Sequence, residues 1–528
     1  MATFNSLPIE LLIMIATNLG LDLDYNRKKR RRALCSMAKV GRSCGAAAQE
    51  VLHQSVAIFL PDPPERGSRV LSPIAQLART LLKRPDLAKK VLCLYIEFLQ
   101  YHRVDHTTAC SLELSRFAGQ WSPCDCGWSK IADLCGRCIQ SHCPDAKQGQ
   151  EWSRSTSKGN PNSLIGVILA CVTGVETITL IPMERNYQFS RPVESLVDIQ
   201  QMTGGYSNRD LGSFVRLIPG LKNAKNLHVE GSVTWPLFAL PNIQYLRIGM
   251  RSEMFWEMVP PSILIPPAEG LTAATWTLSN LTVDMNIDIL DNPSEYPSDF
   301  HDLFGELMER LNNLICLHVY LSSPHSGRTY STWPTTGFQH LVDKIKSESL
   351  SILIIDEFDL DEGKLETMWG EGFCRTVDSI RTLEDLPSLK RLVAPQEAFM
   401  CVEPTWTVCP LPNSLEEIGV LDSTDALNRW AQSLVTDKSR ALLTDLKKVT
   451  LWPVKEEKNL VPDYRLEDSP DYDFSETSSL APTWHDDETE SVSWKTDWMV
   501  HGHIWSLVGH VGIDVSLEEP SNRGWCRE

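Results

Sequence analysis

The sequence predicts an α/β protein: a module of three short helices at the N-terminus, then an irregular repeat region built on a ladder of parallel strands. Three observations lead there. The stretch LPIELLIMIATNLG carries apolar residues at helical spacing on two faces. From Val175 to Leu451 a pattern of apolar, two residues, apolar, one residue, apolar recurs nine times. Segments of helical spacing, such as Leu303 to Leu311 and Gly337 to Ile345, lie between these patterns and would return the chain along the outer side.

In the first helix, Leu7, Leu11, Leu12, Ile15 and Leu19 form one stripe, and Ile9, Ile13 and Ala16 a second face. Pro8 suits the first turn because its φ is fixed and it has no N–H to leave unpaired. Glu10 places a negative charge near the positive end of the helix dipole. A helix with two apolar faces must be covered twice, once by its own domain and once by something else. Gly20 to Asn26 reads as a loop, Ala33 to Val40 as a second helix, and Ala46 to Leu52 as a third. Ser55 to Leu60 reads as a strand that Pro61 stops. The order LPxELLxxIxxxL, ALCSMAKVGRSC, AAAQEVLHQSVAIFL resembles the F-box module, in the version found at the N-terminus of fungal F-box proteins. The run Arg27 to Arg32 departs from that family, where an apolar or mixed segment is commoner; it reads either as a solvated loop and helix start or as a nuclear import signal. The resemblance implies docking onto a Skp-type adaptor and, through it, a cullin ubiquitin ligase. Leu7, Pro8, Leu11, Leu12, Ile15, Leu34 and Met37 are the residues expected to supply the docking surface.

The repeated pattern runs through Val175/Ile178/Leu180, Ala224/Leu227/Val229, Ile243/Leu246/Ile248, Leu278/Leu281/Val283 and Leu314/Leu317/Val319. It continues through Leu350/Leu353/Ile355, Leu389/Leu392/Ala394, Leu415/Ile418/Val420 and Leu446/Val449/Leu451, and Leu94 and Ile96 begin the series. It resembles an irregular leucine-rich repeat, LxxLxL, with long and uneven spacings and without the Asn of the standard consensus at most of the matching positions. Each short strand would turn its apolar side inward. One unit cannot bury that side alone, so units must stack.

The organisation expected is a module at 1–60, a linker and first repeat-like unit at 61–95, a Cys-rich insertion at 96–165, the leucine-rich-repeat-like solenoid at 166–455 and an acidic, partly disordered C-terminal segment at 456–528. In the insertion, Cys124, Cys126, Cys135 and Cys138 have spacings that can chelate one tetrahedral zinc, with His142 or Cys143 able to replace one ligand. Free thiols and redox disulfides are the alternatives. No cofactor is required by this reading, and zinc would be structural. Ser153 to Asn162 is polar and reads as mobile. The acidic segment has too few aliphatic residues to offset its ordering entropy, although Trp494 to Val515 regains apolar character and can return as a strand or helix.

A net charge of −18 and a pI of about 5.2 argue against a large nucleic-acid surface. No apolar run approaches the ~20 residues that span a bilayer, and the first residues do not read as a secretory signal. A cytoplasmic or nuclear protein is expected, with the 15 cysteines as thiols or metal ligands. No phosphate loop, HExxH or GxSxG is present, so no enzyme is expected. The function expected is substrate recognition for a Skp–cullin–F-box-type ubiquitin ligase, with an unknown target protein held by the repeats. A repeat scaffold with no ligase link is the alternative.

Overall fold

The computed structural model describes residues 7–19, 27–58, 73–99, 128–143, 146–157, 161–183, 218–230, 237, 240–250, 277–286, 299–311, 313–322, 337–345, 347–357, 379–383, 385–399, 411–423, 427–435, 444–453 and 503–518. They fall into two compact units, Met1–Asp378 and Ser379–Glu528.

Unit 1 opens with three helices, α1 (Ile9–Asn18), α2 (Arg27–Ala38) and α3 (Arg42–Gln54). Pro8 sits at the N-cap of α1, and its carbonyl accepts the Leu12 amide at 3.2 Å. Leu12 and Ala16 of α1, Leu34 and Met37 of α2, and Cys44, Ala47, Ala48 and Val51 of α3 close a small core. Alanines there let α3 approach its neighbours closely. Helix α2 begins at Arg27, six residues earlier than the apolar pattern suggests. Arg and Lys are good helix formers, so the basic run continues the helix back from Ala33.

The chain then enters a parallel ladder. Its strands are β1 (Ser55–Ile58), β2 (Cys93–Leu99), β3 (Thr177–Met183), β4 (Asn226–Glu230), β5 (Tyr245–Met250), β6 (Asn280–Asn286), β7 (Cys316–Ser322) and β8 (Ile352–Glu357). Each pairs in parallel with the next in sequence order. Leu227, Leu246, Leu281, Leu317 and Leu353 occupy one register row. That arrangement is of the solenoid kind, an α/β ladder with helices on the returns. Those helices are α4 (Pro73–Lys83), α5 (Pro85–Ala88), α6 (Trp128–His142), α7 (Ala146–Ser157), α8 (Pro161–Cys171), α9 (Pro219–Asn223), α10 (Asp299–Arg310) and α11 (Phe338–Asp343). The last two match the returns read at Leu303–Leu311 and Gly337–Ile345.

Unit 2 repeats the plan with β9 (Arg391–Pro395), α12 (Gln396–Phe399), β10 (Glu417–Ser423), α13 (Leu427–Val435), β11 (Lys448–Pro453), α14 (His503–His510) and β12 (Asp514–Leu517). Its four strands also pair in sequence order, all parallel. Gly419 of β10 is required by a close approach: a Cβ there would meet Trp452 Cζ3 at 2.7 Å and Val393 Cγ2 at 2.9 Å. Strand β12 extends the ladder into the segment read as an acidic tail, and α14 is tied to α13 by a bond from Trp505 Nε1 to Asn428 Oδ1 at 2.9 Å.

All 27 apolar positions of the nine repeats are at most 2 % exposed. A second regularity joins neighbouring strands through the backbone. The carbonyl just before a strand accepts the two consecutive amides at the start of the next. Glu176 O accepts Lys225 N and Asn226 N at 2.8 and 2.9 Å, and Ser279 O accepts Ile315 N and Cys316 N at 2.8 and 3.0 Å. The same pairing recurs at Leu92, Lys225, Gln244, Ile315, Lys390 and Glu416.

One sequence expectation is revised here. Ser153 to Ser157 lies in helix α7 because Trp152 and Thr156 are buried, with Trp152 Nε1 donating to Ser163 O at 3.0 Å. Asp356 is a buried residue of β8.

Candidate functional site

Three groups of side chains carry chemistry beyond packing. The first lies on the N-terminal helices. Successive residues on a helix point 100° apart, so Leu11 and Leu12 cannot share a face. Leu12 goes inward and is fully buried, whereas Leu11 is 40 % and Met14 53 % exposed. These two stand three residues apart and are neighbours on the outer face, with Ile9 and Leu19 exposed at the ends. Of the residues expected to dock a partner, Pro8 and Leu11 are exposed, Leu7 and Ile15 half-buried, and Leu12, Leu34 and Met37 belong to the core beneath. Met14 carries no role in the sequence reading, and Ile9 is placed there on the second face and not among the docking residues. Their exposure depends on which face of α1 meets α3, which apolar spacing alone leaves open when both faces are apolar.

The second group is the cysteines of the insertion. Cys124 and Cys126 lie outside the described residues. Cys135 is buried on the same side of α6 as Ile131 and Ile139. Burial pushes its thiol up to about 12, and the charge of Cys138 adds to that. Cys138 is half-buried and meets Cys171 at the end of α8, sulfur to sulfur 3.8 Å. The hydrogen bond with Cys171 draws Cys138 down to about 7 against the effect of burial, and His142 adds to the drop. Cys171 is pushed up, first by that same bond and then by burial. His142 Nδ1 lies 3.8 Å from Cys138 Sγ and 2.9 Å from the Cys138 carbonyl oxygen. Among the described residues no three His, Cys, Asp or Glu side chains form a group able to hold a metal ion. Cys171 escaped the sequence reading because it lies 33 residues from Cys138, outside any chelating spacing.

The third group was also missed. On the sheet face opposite the leucines, neighbouring strands bring together residues far apart in sequence. Arg247 of β5 reaches Asp284 of β6, its Nε at 3.3 Å from Oδ2 and its Nη2 at 3.2 Å from both carboxylate oxygens. The guanidinium also lies 5.0 Å from the Tyr320 ring centroid. Tyr320 packs on His318 with centroids 3.8 Å apart, and the Tyr245 hydroxyl pairs with Thr282 Oγ1 at 3.2 Å. Asp284, His318 and Tyr320 are buried. Burial works against the charged form of Arg247, but the Asp284 carboxylate outweighs it and the guanidinium is pushed up. Burial also pushes the Tyr245 phenol up. His318 is drawn down to about 3 by burial and by Arg247. The signal for this group was present in the residues between the leucines, as in L-R-I, V-D-M and L-H-V-Y. It becomes readable only once the strands are set in register.

His318 gives a measurable consequence. Its folded pKa of about 3 lies below the unfolded 6.5, so only the unfolded state takes up its proton between those values. Stability from this group is present above pH 6.5 and is lost as pH falls towards 3. From pH 7.5 to 5 the loss is expected to be about 2 kcal/mol. His318→Phe keeps the ring and removes the titration. Urea unfolding of the two proteins at both pH values checks this; parallel losses would show that His318 does not titrate in the unfolding equilibrium.

No family model matches the chain, and a search of the curated proteins found no match. No helix among the described residues is long and apolar enough to cross a membrane.

Proposed function

We propose that this chain is a non-catalytic substrate-recognition subunit of a Skp–cullin–F-box-type ubiquitin ligase. The N-terminal helices would be an F-box that docks a Skp-type adaptor. The leucine-rich-repeat-like ladders would hold a target protein. Holding a target beside the conjugating enzyme raises the effective concentration of its lysines, which needs no catalytic group in this chain. The observation that carries the reading is the outer face of α1. Leu11 and Met14 stand exposed over a module whose own core is already closed by Leu12, Ala16, Leu34 and Met37. Exposed apolar neighbours on a closed core suit a partner surface.

The test is co-expression with a Skp-type adaptor and pull-down. Wild-type chain is expected to capture the adaptor. The double variant Leu11→Asp/Met14→Asp is expected to lose it while its unfolding curve stays unchanged, because neither side chain is in the core. Absence of adaptor with the wild type, or equal capture by the folded variant, rejects the ligase reading and leaves the repeat scaffold with no ligase link.

A further inference from the structure

We propose that Cys138 and Cys171 form a redox pair that hydrogen peroxide converts to a disulfide, fastening α6 to α8. The two residues are brought together by the fold alone. Cys138 sits on the last turns of α6 and Cys171 at the end of α8, with their sulfurs 3.8 Å apart. A disulfide needs about 2.05 Å, so closure asks for an approach of about 1.8 Å, within reach of small side-chain rotations. Both thiols are half-buried, which leaves an oxidant access while the two helices hold the pair together. Cys135, one turn before Cys138, is fully buried and takes no part.

The chemistry balances in two steps. The Cys138 sulfur attacks one peroxide oxygen; an S–O bond forms, the O–O bond breaks, and the departing oxygen leaves as water with the thiol proton. The Cys171 sulfur then attacks the Cys138 sulfur. The S–S bond forms, the S–O bond breaks, and the hydroxyl leaves as a second water with the Cys171 proton. Two electrons and two protons pass from the thiols to the peroxide. The disulfide would close a loop over the 33-residue separation and tie α7, which lies between the two helices in sequence, into a covalent ring.

The experiment treats reduced full-length protein with hydrogen peroxide, blocks remaining thiols, and maps non-reduced peptides by mass spectrometry. The expected product is a peptide pair linked through Cys138 and Cys171, about 2 Da lighter than the two free peptides and released by dithiothreitol. In Cys171→Ser, the Cys138 sulfenic acid has no partner and should be trapped by dimedone several-fold more than in wild type. Wild-type protein needs no substitution, so a folding defect in the variant leaves the mapping decisive. The proposal is overturned if the linked peptide is missing while Cys138 is oxidised to the same extent in both proteins. It is equally overturned if the reduced protein carries one tightly held zinc per chain that shields Cys138 from peroxide, since Cys138 would then be a metal ligand.

Discussion

Leu12→Asp is expected to unfold the three N-terminal helices. Leu12 is fully buried among Ala16, Leu34, Met37, Cys44, Ala47, Ala48 and Val51. Truncating such a leucine to alanine alone removes about 2–5 kcal/mol. Aspartate adds a carboxylate to a cluster made of apolar side chains, and an unpaired buried charge is far costlier than a lost methyl group. The sum, about 5 kcal/mol or more, exceeds what so small a helical module can spare. Hydrogen exchange over residues 9–18, 27–38 and 42–54 is the measurement, with rapid exchange expected in the variant and protection in the wild type. Protection that survives in Leu12→Asp would mean that Leu12 is not in the core. Met14→Asp, by contrast, changes an exposed residue and should leave stability within about 0.5 kcal/mol. The pair separates loss of fold from loss of docking. Loss of adaptor in Leu12→Asp would by itself decide nothing, which is why the docking test rests on Leu11 and Met14.

Asp284→Ala is expected to destabilise unit 1 by about 3–5 kcal/mol. Asp284 has no exposed side-chain surface, and the Arg247 side chain is 21 % exposed. Removing the carboxylate leaves a mostly buried guanidinium beside the Tyr320 ring, with no carboxylate to offset its burial. The combined variant Arg247→Met/Asp284→Leu should recover much of the loss, because replacing both charges by apolar groups of similar size removes the desolvation cost together with the attraction. Urea titrations of the wild type, the single variants and the combined variant form a double-mutant cycle. A single variant Asp284→Ala within about 1 kcal/mol of wild type would show that the pair contributes no more than an exposed salt bridge.

The strands were legible because a solenoid repeats its inward positions. Leu246, Leu317 and Leu353 had to be buried whatever the returns did, and β3 to β11 fall where the pattern places them. The pattern says nothing about the opposite face, because Arg247, Asp284 and His318 occupy the positions it leaves free. Their meeting depends on register, which the leucines fix but a linear reading does not display. In α1 both faces are apolar, so the sequence could mark a helix with two apolar faces without saying whether Leu11 or Leu12 went inside. Cys138 and Cys171 were legible as thiols and not as a pair, since the contact comes from the packing of α6 on α8. Helix α2 begins earlier than its apolar residues because Arg and Lys are good helix formers, which outweighs the charge repulsion and the dipole that oppose a cationic helix start.

Strand order that follows chain order also sets how each ladder answers a pulling force. Among the described strands of unit 1 each inner strand is hydrogen-bonded to its predecessor and its successor, so load entering at the end strand β1 meets β2 before any other strand. Bonds between parallel neighbours then open from the end inwards, one strand at a time, and no set of strands has to shear together. Each detached repeat releases a fixed length of chain. The interval from Cys316 to Ile352, 36 residues along the sequence, would pay out about 120 Å at roughly 3.3–3.6 Å per residue. Such a ladder yields by lengthening in discrete steps at low force, and the strands not yet reached keep their shape throughout.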